Sequence, residues 1–364
     1  MKVIITLEKL KSALQSVSRI ISNSSTLPIL NFIKLSTQDG LLKISASNLE
    51  LNQTMLVGCK IETTGEICVN YKTLFELINS LNEDVITLET QDSQILISTE
   101  KTKTKLNYLT TEEFPEIQNL TDFSEITLDS KELLQALNQV VYAASQSETQ
   151  PEISGVLWWF GEDNMLITAT DRFRLAEKSV KYIGGINKKI IIPHKSINEI
   201  IKLLSDTNQT VKFEITDTQI AININDTYLV SRLIDGDYPA YQQIIPDNFN
   251  VSVKVEKKEL INAVKTSSVF SLKTGSISIE YDQVVGSLKV NSLTSEIGES
   301  NIEIPAIIDG GSGKFIINYR YVLDFLNNFP AEQLEIKIID DSSPIIFGLE
   351  DDKTYIYLVM PIKQ

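Results

Sequence analysis

The sequence predicts an α+β protein made of three tandem copies of one domain, each with two helices packed on antiparallel sheet. The first observation is an apolar stripe at positions i, i+3, i+4 and i+7 that begins at Leu10, Leu133 and Leu260. These copies are 123 and 127 residues apart. Since such a stripe is typical of an amphipathic helix, the same helix is predicted three times.

A second predicted helix repeats with nearly the same period. Its copies open at Asn70, Pro193 and Asn318, which are 123 and 125 residues apart. Two independent patterns with one period indicate a repeat of whole domains. Such a repeat favours a symmetric assembly over a single catalytic cleft.

The segments between these helices alternate apolar and polar residues, as half-buried antiparallel strands do. Examples are Leu41–Ala46, Gly155–Phe160 and Leu334–Ile338. Each third therefore consists of a helix, several strands, a second helix and several strands, which is an α+β unit. The predicted domains are residues 1–122, 123–247 and 248–364.

The composition is that of an ordinary globular protein, with 42% hydrophobic and 22% charged residues among 364. No apolar run approaches the length of a membrane span or a signal peptide, which predicts a cytoplasmic protein. The two cysteines do not make a disulfide framework. The net charge of −15 argues against nucleic-acid binding unless the cations are concentrated on one surface.

Three cations occupy equivalent positions in the first turn of the second helix, namely Lys72, Lys195 and Arg320. A cation there is unfavourable with the helix dipole, so the repeated placement suggests a role such as neutralising phosphates. The alternative is that all three are simply solvated. We expect six cations on or beside the predicted helices to form one positive surface: Lys72, Lys195, Arg320, Lys9, Lys202 and Lys265.

The sequence contains no recognisable catalytic constellation. His194 is the only histidine. No metal site or catalytic site that needs a second imidazole can therefore form. The glycine-rich stretch Gly310–Lys314 fails the phosphate-loop pattern, because Phe315 follows the lysine where Ser or Thr is needed. We interpret it as a hairpin. The sequence thus predicts a protein that is not an enzyme and needs no cofactor or metal.

Four sequence motifs carry a resemblance to a known family. They are Thr26–Leu30, Ala169–Ala176, Leu233–Tyr241 and Leu358–Ile362. In this order, and on a threefold repeat, they resemble the beta subunit of bacterial DNA polymerase III, the sliding clamp, over the full length of the chain. The resemblance implies a clamp domain in each third.

Members of that family are head-to-tail homodimers that close into a ring around double-stranded DNA. The resemblance therefore implies a processivity factor in DNA replication that tethers the replicative polymerase alpha subunit, the clamp loader and other proteins with a clamp-binding motif. DNA would be encircled without regard to sequence, and the resemblance implies that the six cations of the positive surface face it. The residues that match the family's dimer interface are Leu106, Val269 and Phe270.

The resemblance also implies a pocket for partner peptides between the middle and last domains. The residues that match its walls are Ile153, Thr170, Arg172, Phe173, Arg174, Leu175, Pro239, Ile244, Asn318, Tyr321, Ser342, Pro344, Leu358, Val359, Met360, Pro361 and Ile362. We expect Leu175, Ile244, Val359 and Met360 to be the apolar anchors. An adaptable methionine suits a pocket for several partners; the alternative is that the C-terminal segment is only an edge strand.

The chain departs from some family members at positions expected to contact DNA. Ser24 stands where some members have an arginine, and Pro151 and Glu152 stand where aromatic residues sometimes occur. Two other function classes remain open from the residues alone. One is a secreted tandem β-rich adhesin, which a targeting signal would favour, and the other is an acidic glycosidase, which would need its carboxylates to converge on one cleft.

Overall fold

The computed structural model describes residues 1–21, 27–117, 119–147, 149–271, 275–293, 298–350 and 352–363. Ser24 and the first residue of the Thr26–Leu30 motif lie outside the described residues. The chain divides into two compact units. The first unit contains Met1–Thr127 and Thr210–Leu233, and the second contains Leu128–Gln209 and Ile234–Gln364.

Helices occur where the repeated stripes predict them. Leu10, Leu133 and Leu260 are fully buried in the first helix of each third, and Asn70, Pro193 and Asn318 are the N-cap residues of the second. The α-helices of the described residues are α1 (Leu7–Val17), α2 (Tyr71–Ser80), α3 (Ser130–Val140), α4 (Pro151–Ser154), α5 (His194–Ser205), α6 (Lys257–Ser268) and α7 (Tyr319–Asn328).

The strands are short and pair antiparallel throughout the described residues, and the predicted alternation is visible in their burial. They are β1 (Lys2–Thr6), β2 (Phe32–Gln38), β3 (Leu41–Ser47), β4 (Leu51–Gly58), β5 (Lys60–Thr63), β6 (Glu66–Asn70), β7 (Val85–Gln91), β8 (Gln94–Ser98), β9 (Lys103–Leu109), β10 (Ser124–Asp129), β11 (Gly155–Phe160), β12 (Asn164–Thr170), β13 (Arg174–Lys181), β14 (Lys189–Pro193), β15 (Thr210–Ile215), β16 (Gln219–Ile224), β17 (Thr227–Arg232), β18 (Val251–Glu256), β19 (Ser276–Asp282), β20 (Ser287–Ser292), β21 (Asn301–Pro305), β22 (Ile307–Asp309), β23 (Gly313–Asn318), β24 (Gln333–Ile338), β25 (Ile345–Gly348) and β26 (Tyr355–Val359).

In the first unit the strands form a 13-stranded sheet, in the order β10-β15-β16-β17-β4-β3-β2-β6-β9-β8-β7-β1-β5. Helices α1 and α2 pack against each other, and α1 covers β3 and β4 with its apolar face. The side chain of Asn70 accepts the Thr73 N–H at 3.1 Å, which satisfies one of the free N–H groups at the start of α2.

In the second unit a nine-stranded sheet has the order β14-β11-β12-β13-β26-β25-β24-β18-β22, and a four-stranded sheet has the order β21-β20-β19-β23. Helix α3 packs on α5, and α6 packs on α7. The pairing of β13 with β26 joins two strands that are about 180 residues apart in the chain. This pairing brings two of the family motifs together.

The borders of the two units do not coincide with the predicted boundaries of the thirds, which remain a prediction. The reason is visible inside the first unit, where β17 of the middle third pairs with β4 of the first third. The interpretation of Gly310–Lys314 as a hairpin is wrong. Strand β22 before it pairs with β18, and strand β23 after it pairs with β19, so the glycines connect strands of different sheets.

Candidate functional site

The largest group of predicted site residues meets on the nine-stranded sheet of the second unit. Strands β12 and β13 form a hairpin whose tip is Asp171–Phe173, and β26 lies beside β13 with Leu175 opposite Leu358. Ile346 of β25 lies opposite Leu358 on its other side. The Ala169–Ala176 and Leu358–Ile362 motifs therefore form one continuous surface, which we call the partner pocket.

The floor of the partner pocket is one apolar face of this sheet. Its fully or nearly buried members are Leu157, Leu175, Ile191, Tyr241, Ile346 and Leu358, and Met360 packs against them while staying partly exposed. Sequence reasoning identified Leu175, Leu358 and Met360 but missed Leu157, Ile191 and Ile346. These three lie outside the four motifs, and only the pairing of distant strands places them in the cluster.

Val359 is on the opposite face from the other expected anchors. It lies across from Arg174 on β13 and Ile345 on β25, and it is fully buried. Since successive side chains of a strand point to opposite faces, Val359 shares the helix-covered face with Arg174 and not the face of Leu358 and Met360. The strand register therefore places Val359 on the face opposite Leu175, and its expected role as a peptide anchor stays a prediction.

Arg174 fixes the end of the hairpin from that helix-covered side. Its guanidinium contacts the carboxylate of Asp171 at 2.9 Å and that of Asp324 on α7 at 2.5 Å. It also lies over the ring of Tyr321, 4.6 Å from the centroid, and over that of Tyr142, 5.7 Å away. Burial raises the pKa of Asp171, although the charge of Arg174 opposes this shift. Breaking such a buried, hydrogen-bonded pair is costly.

The hairpin tip, which we call the rim loop (Asp171–Phe173), has a fixed backbone. The Arg172 N–H donates to the Thr170 hydroxyl at 3.1 Å. The N–H groups of Phe173 and Arg174 donate to the Asp171 carboxylate, each at 3.0 Å. The carbonyl of Phe173 accepts the Met360 N–H at 2.8 Å. Phe173 itself is 60% exposed, as is expected for a residue at a pocket rim.

A second wall comes from the segment that contains Pro239 and Ile244, both exposed. Between them Tyr241 is buried, and its hydroxyl donates a very short hydrogen bond to the carboxylate of Glu177. The Thr168 hydroxyl contacts that carboxylate at 3.2 Å and the Tyr241 oxygen at 3.0 Å. Burial raises the pKa of Glu177, against the lowering effect of the Tyr241 and Thr168 hydroxyls.

Sequence reasoning missed the Thr168–Glu177–Tyr241 cluster. The signal was present, because Glu177 directly follows the Ala169–Ala176 motif and shares one face of the predicted strand with Leu175 and Ser179, which are apolar or small. A buried carboxylate needs hydrogen-bond partners. The cluster therefore fastens the Pro239–Ile244 wall to the sheet.

The remaining predicted wall residues differ in their solvent exposure. Ile153 on α4 and Pro361 are buried, whereas Ser342 and Ile362 are exposed and line one cavity with Phe315 and Ile316. The Ile362 N–H donates to the Ile316 carbonyl at 2.8 Å. Partly buried positions of the set are Asn318, Tyr321, Pro344 and Met360.

The expected DNA-facing cations occupy the predicted helical positions. Lys72, Lys195 and Arg320 are all exposed and are each the second residue of α2, α5 or α7. Lys9 on α1 and Lys265 on α6 are exposed as well. Lys202 on α5 is also exposed, and its ammonium contacts the Glu199 carboxylate at 2.6 Å.

The predicted dimer residues lie on β9 and directly after α6. Leu106 is on β9 and lines a cavity of about 280 Å³ with Phe32, Val69 and Tyr108, among others. Val269, just past α6, is 67% exposed, and Phe270 is partly buried. Helix α6 ends at Ser268, so Phe270 follows the helix by two residues.

Within the described ranges, no group of three or more His, Cys, Asp or Glu side chains is arranged to hold a metal ion. His194 is the first residue of α5, and its Nδ1 lies 3.0 Å from the carbonyl oxygen of Ser154. None of the described helices has both the length and the apolar character that crossing a bilayer requires.

Comparison with known proteins matches each third of the chain to a domain of one family. Residues 1–118 match the DNA polymerase III beta subunit, N-terminal domain, residues 127–240 match its central domain, and residues 242–363 match its C-terminal domain. The beta sliding clamp of Staphylococcus aureus is 26% identical over 354 residues, which cover 94% of each chain.

Solved structures give the same result for the fold. The DNA polymerase sliding clamp of Bacillus subtilis superposes with a TM-score of 0.96 at 26% identity, covering 100% of this chain and 99% of that one. The DNA polymerase III subunit beta of Pseudomonas aeruginosa has a TM-score of 0.94 at 23% identity, with complete coverage of both chains. At that identity the likeness shows the fold alone.

Proposed function

The chain belongs to the DNA polymerase III beta subunit family, and we propose that it is a DNA sliding clamp that confers processivity on the replicative polymerase. In this proposal two copies close head to tail into a ring around duplex DNA. The protein catalyses no reaction and acts in the cytoplasm, where replication takes place. The tandem adhesin has no support, since each third matches a clamp-family domain.

The observation that carries the proposal is the full set of three family domains together with the antiparallel edges that a ring needs. Strand β21 pairs only with β20 among the described strands. In β9, residues 103–107 pair with β8 on one side, whereas Tyr108 and Leu109 pair with β6 on the other side. Among the described strands, the second side of residues 103–107 is therefore unpaired. Each edge thus leaves backbone groups that can pair with a second chain.

Charge and shape support the pairing of these two edges between copies. Lys103 and Lys105 are exposed on β9, while Glu299 and Glu303 are exposed on or beside β21. Opposite charges across an interface steer association and fix register. We propose that Val269 and Phe270 of one copy enter the cavity beside Leu106 of the other, which buries the exposed side chain of Val269.

The DNA-facing cations suit a protein that must slide. Binding to phosphates alone is independent of sequence and sensitive to salt. A few cations such as Lys72, Lys195 and Arg320, on a chain with a net charge of −15, would guide the duplex without holding it tightly. The contact of Lys202 with the Glu199 carboxylate weakens the attraction of Lys202 for phosphates in our proposal.

The partner pocket is the proposed site for polymerase and clamp-loader peptides. An extended segment would place apolar side chains on the partly exposed Met360 and on Ile244 and Phe173 at the rim, above the buried Leu175 and Leu358. Interfaces of this kind draw most of their energy from a few desolvated contacts. The partly exposed Met360 is adaptable enough to accept different partners.

Retention on circular DNA tests the proposed function directly. The protein is loaded on a nicked circular plasmid by its cognate clamp loader and separated from free protein by gel filtration. We expect it to stay on the circle and to be lost when the plasmid is cut once. Blocking both ends of the cut DNA with bound protein should restore retention. Equal loss from circular and linear DNA would contradict encirclement.

A further inference from the structure

The rim loop displays two adjacent side chains, Arg172 and Phe173, on a backbone that is held from both sides. Thr170 and Asp171 use their oxygen atoms to bind the loop's own N–H groups, at 3.0 to 3.1 Å. The Phe173 carbonyl is bound by the Met360 N–H. Only the side chains of Arg172 and Phe173 are left exposed for an external ligand.

Arg172 adopts an unusual backbone conformation for its residue type. Its φ is +76°, a region that favours glycine because a Cβ atom is crowded there. Strained residues of this kind cluster at ligand-binding sites, where the surroundings hold them in place. The hydrogen bond from the Arg172 N–H to Thr170 supplies that restraint.

The guanidinium of Arg172 is available for a ligand. The nearest carboxylate in sequence, Asp171, is already bound to Arg174 at 2.9 Å. No ion pair or hydrogen bond joins the Arg172 side chain to any of the described residues. A guanidinium matches a carboxylate in two parallel hydrogen bonds, so an acidic side chain is the group it would recognise.

We propose that Arg172 selects partner segments that carry an Asp or Glu beside their apolar anchors, while Phe173 contributes an apolar contact that does not depend on this charge. This inference rests on the proposed function, because it requires a peptide in the partner pocket. Arg172 is then a specificity-determining residue: it separates acidic from neutral or basic segments, while Met360 and Ile244 contact their apolar residues alike.

Calorimetric titration of the full-length protein with three synthetic peptides tests the proposal. The peptides share two leucine anchors and differ at one flanking position, which is Asp, Asn or Lys. We expect the Asp peptide to bind about fivefold more tightly than the Asn peptide at low salt, and this ratio to shrink as salt screens the charges.

The informative variant is Arg172→Gly, because glycine tolerates the observed φ and removes only the side chain. It should bind the Asp and Asn peptides equally, with the affinity for the Asn peptide unchanged. Arg172→Glu should prefer the Lys peptide. In the matched control, Phe173→Ala, both affinities should fall while the ratio between the Asp and Asn peptides stays as in the parent protein.

The outcomes separate this inference from the proposed function. If Arg172→Gly keeps the preference for the Asp peptide, the inference is wrong while the pocket stands. If no peptide binds to the parent protein, the pocket assignment fails and the inference fails with it. If Arg172→Gly weakens retention on circular DNA and leaves all peptide affinities unchanged, Arg172 contacts phosphates instead.

Discussion

The partner pocket and the β9 edge are both proposed to bind protein, but they are built in opposite ways. In the second unit, Arg174 and its carboxylate partners fix the hairpin, and the Tyr241–Glu177 contact fixes the second wall. In the first unit, residues 103–107 of β9 leave one edge unpaired among the described strands. The pocket is therefore preorganised, whereas in the proposed ring the edge is completed by a second copy.

This difference determines where a substitution should have its largest effect. In a preorganised pocket, each substitution removes only the binding energy of the contact that it deletes, since the shape of the pocket does not depend on the ligand. An interface that completes a sheet is cooperative, because its backbone pairing and its apolar contacts form together. We therefore expect the strongest single-residue effect at the dimer contact.

Phe270→Asp should open the ring. The substitution places an unpaired carboxylate at the apolar contact, which costs about 3 to 5 kcal/mol when a charge is buried without a partner. That cost corresponds to a dissociation constant raised by at least about a hundredfold. Size exclusion with light scattering at micromolar concentration measures it.

The control for this prediction is Phe173→Asp, which changes an exposed aromatic residue of the rim loop and should leave the dimer intact. A Phe270→Asp protein that remained fully dimeric would place the ring contact elsewhere.

Deleting Met360 through Gln364 should abolish partner binding without affecting the dimer. The deletion removes Met360 from the pocket floor and the hydrogen bond that Met360 donates to the rim loop. The loss of such a contact amounts to about 2 kcal/mol or more. Titration with the C-terminal peptide of the cognate polymerase is the measurement.

A shorter deletion of Lys363 and Gln364 is the matched control, and it should keep most of the affinity. Unchanged affinity after the longer deletion would leave the C-terminal strand with a purely structural role.

Exchanging Lys72, Lys195 and Arg320 for glutamate should weaken retention on DNA of every sequence alike. Each phosphate contact contributes about one unit to the slope of log affinity against log salt, so the slope should fall by about three. Retention on nicked circular DNA across a salt series measures this. The control exchanges Lys60, Lys181 and Lys353, which are exposed on strands and turns, and should leave the slope unchanged.

If both triple variants show the same salt slope of retention on DNA, the three helix cations are ordinary solvated residues. This is the alternative that the sequence left open.

The smallest expected effect concerns the pH dependence of stability at Glu177. Burial raises its pKa in the folded protein above the ordinary value of 4.5. The folded state therefore keeps a proton that the unfolded state releases, and stability falls as pH rises from about 4.5 through the folded pKa. Each unit of pKa shift corresponds to about 1.4 kcal/mol.

Glu177→Gln should remove this decline, because the amide does not ionise and its oxygen can still accept from Tyr241. Urea unfolding at a series of pH values measures the effect. Glu76→Gln, on the exposed face of α2, should leave the decline in place. If the free energy of unfolding of Glu177→Gln depends on pH in the same way as that of the parent protein, burial does not raise the pKa of Glu177.

Much of the fold followed from local signals. The three stripes became α1, α3 and α6, and Asn70 and Asn318 cap their helices through side-chain oxygens. Most of the partner pocket was also named in advance, but only through the resemblance. No local pattern shows that the Ala169–Ala176 motif lies beside the Leu358–Ile362 motif, because strand pairing depends on contacts between distant parts of the chain.

The sequence by itself determined the repeat, the helices with their caps and the equivalent positions of Lys72, Lys195 and Arg320, because these depend on residues within a few turns of one another. Only the tertiary structure decided that Val359 faces the helices while Leu358 and Met360 face the pocket. A shift of one residue in strand pairing exchanges the two faces, and the partner strand, not the local sequence, sets that register.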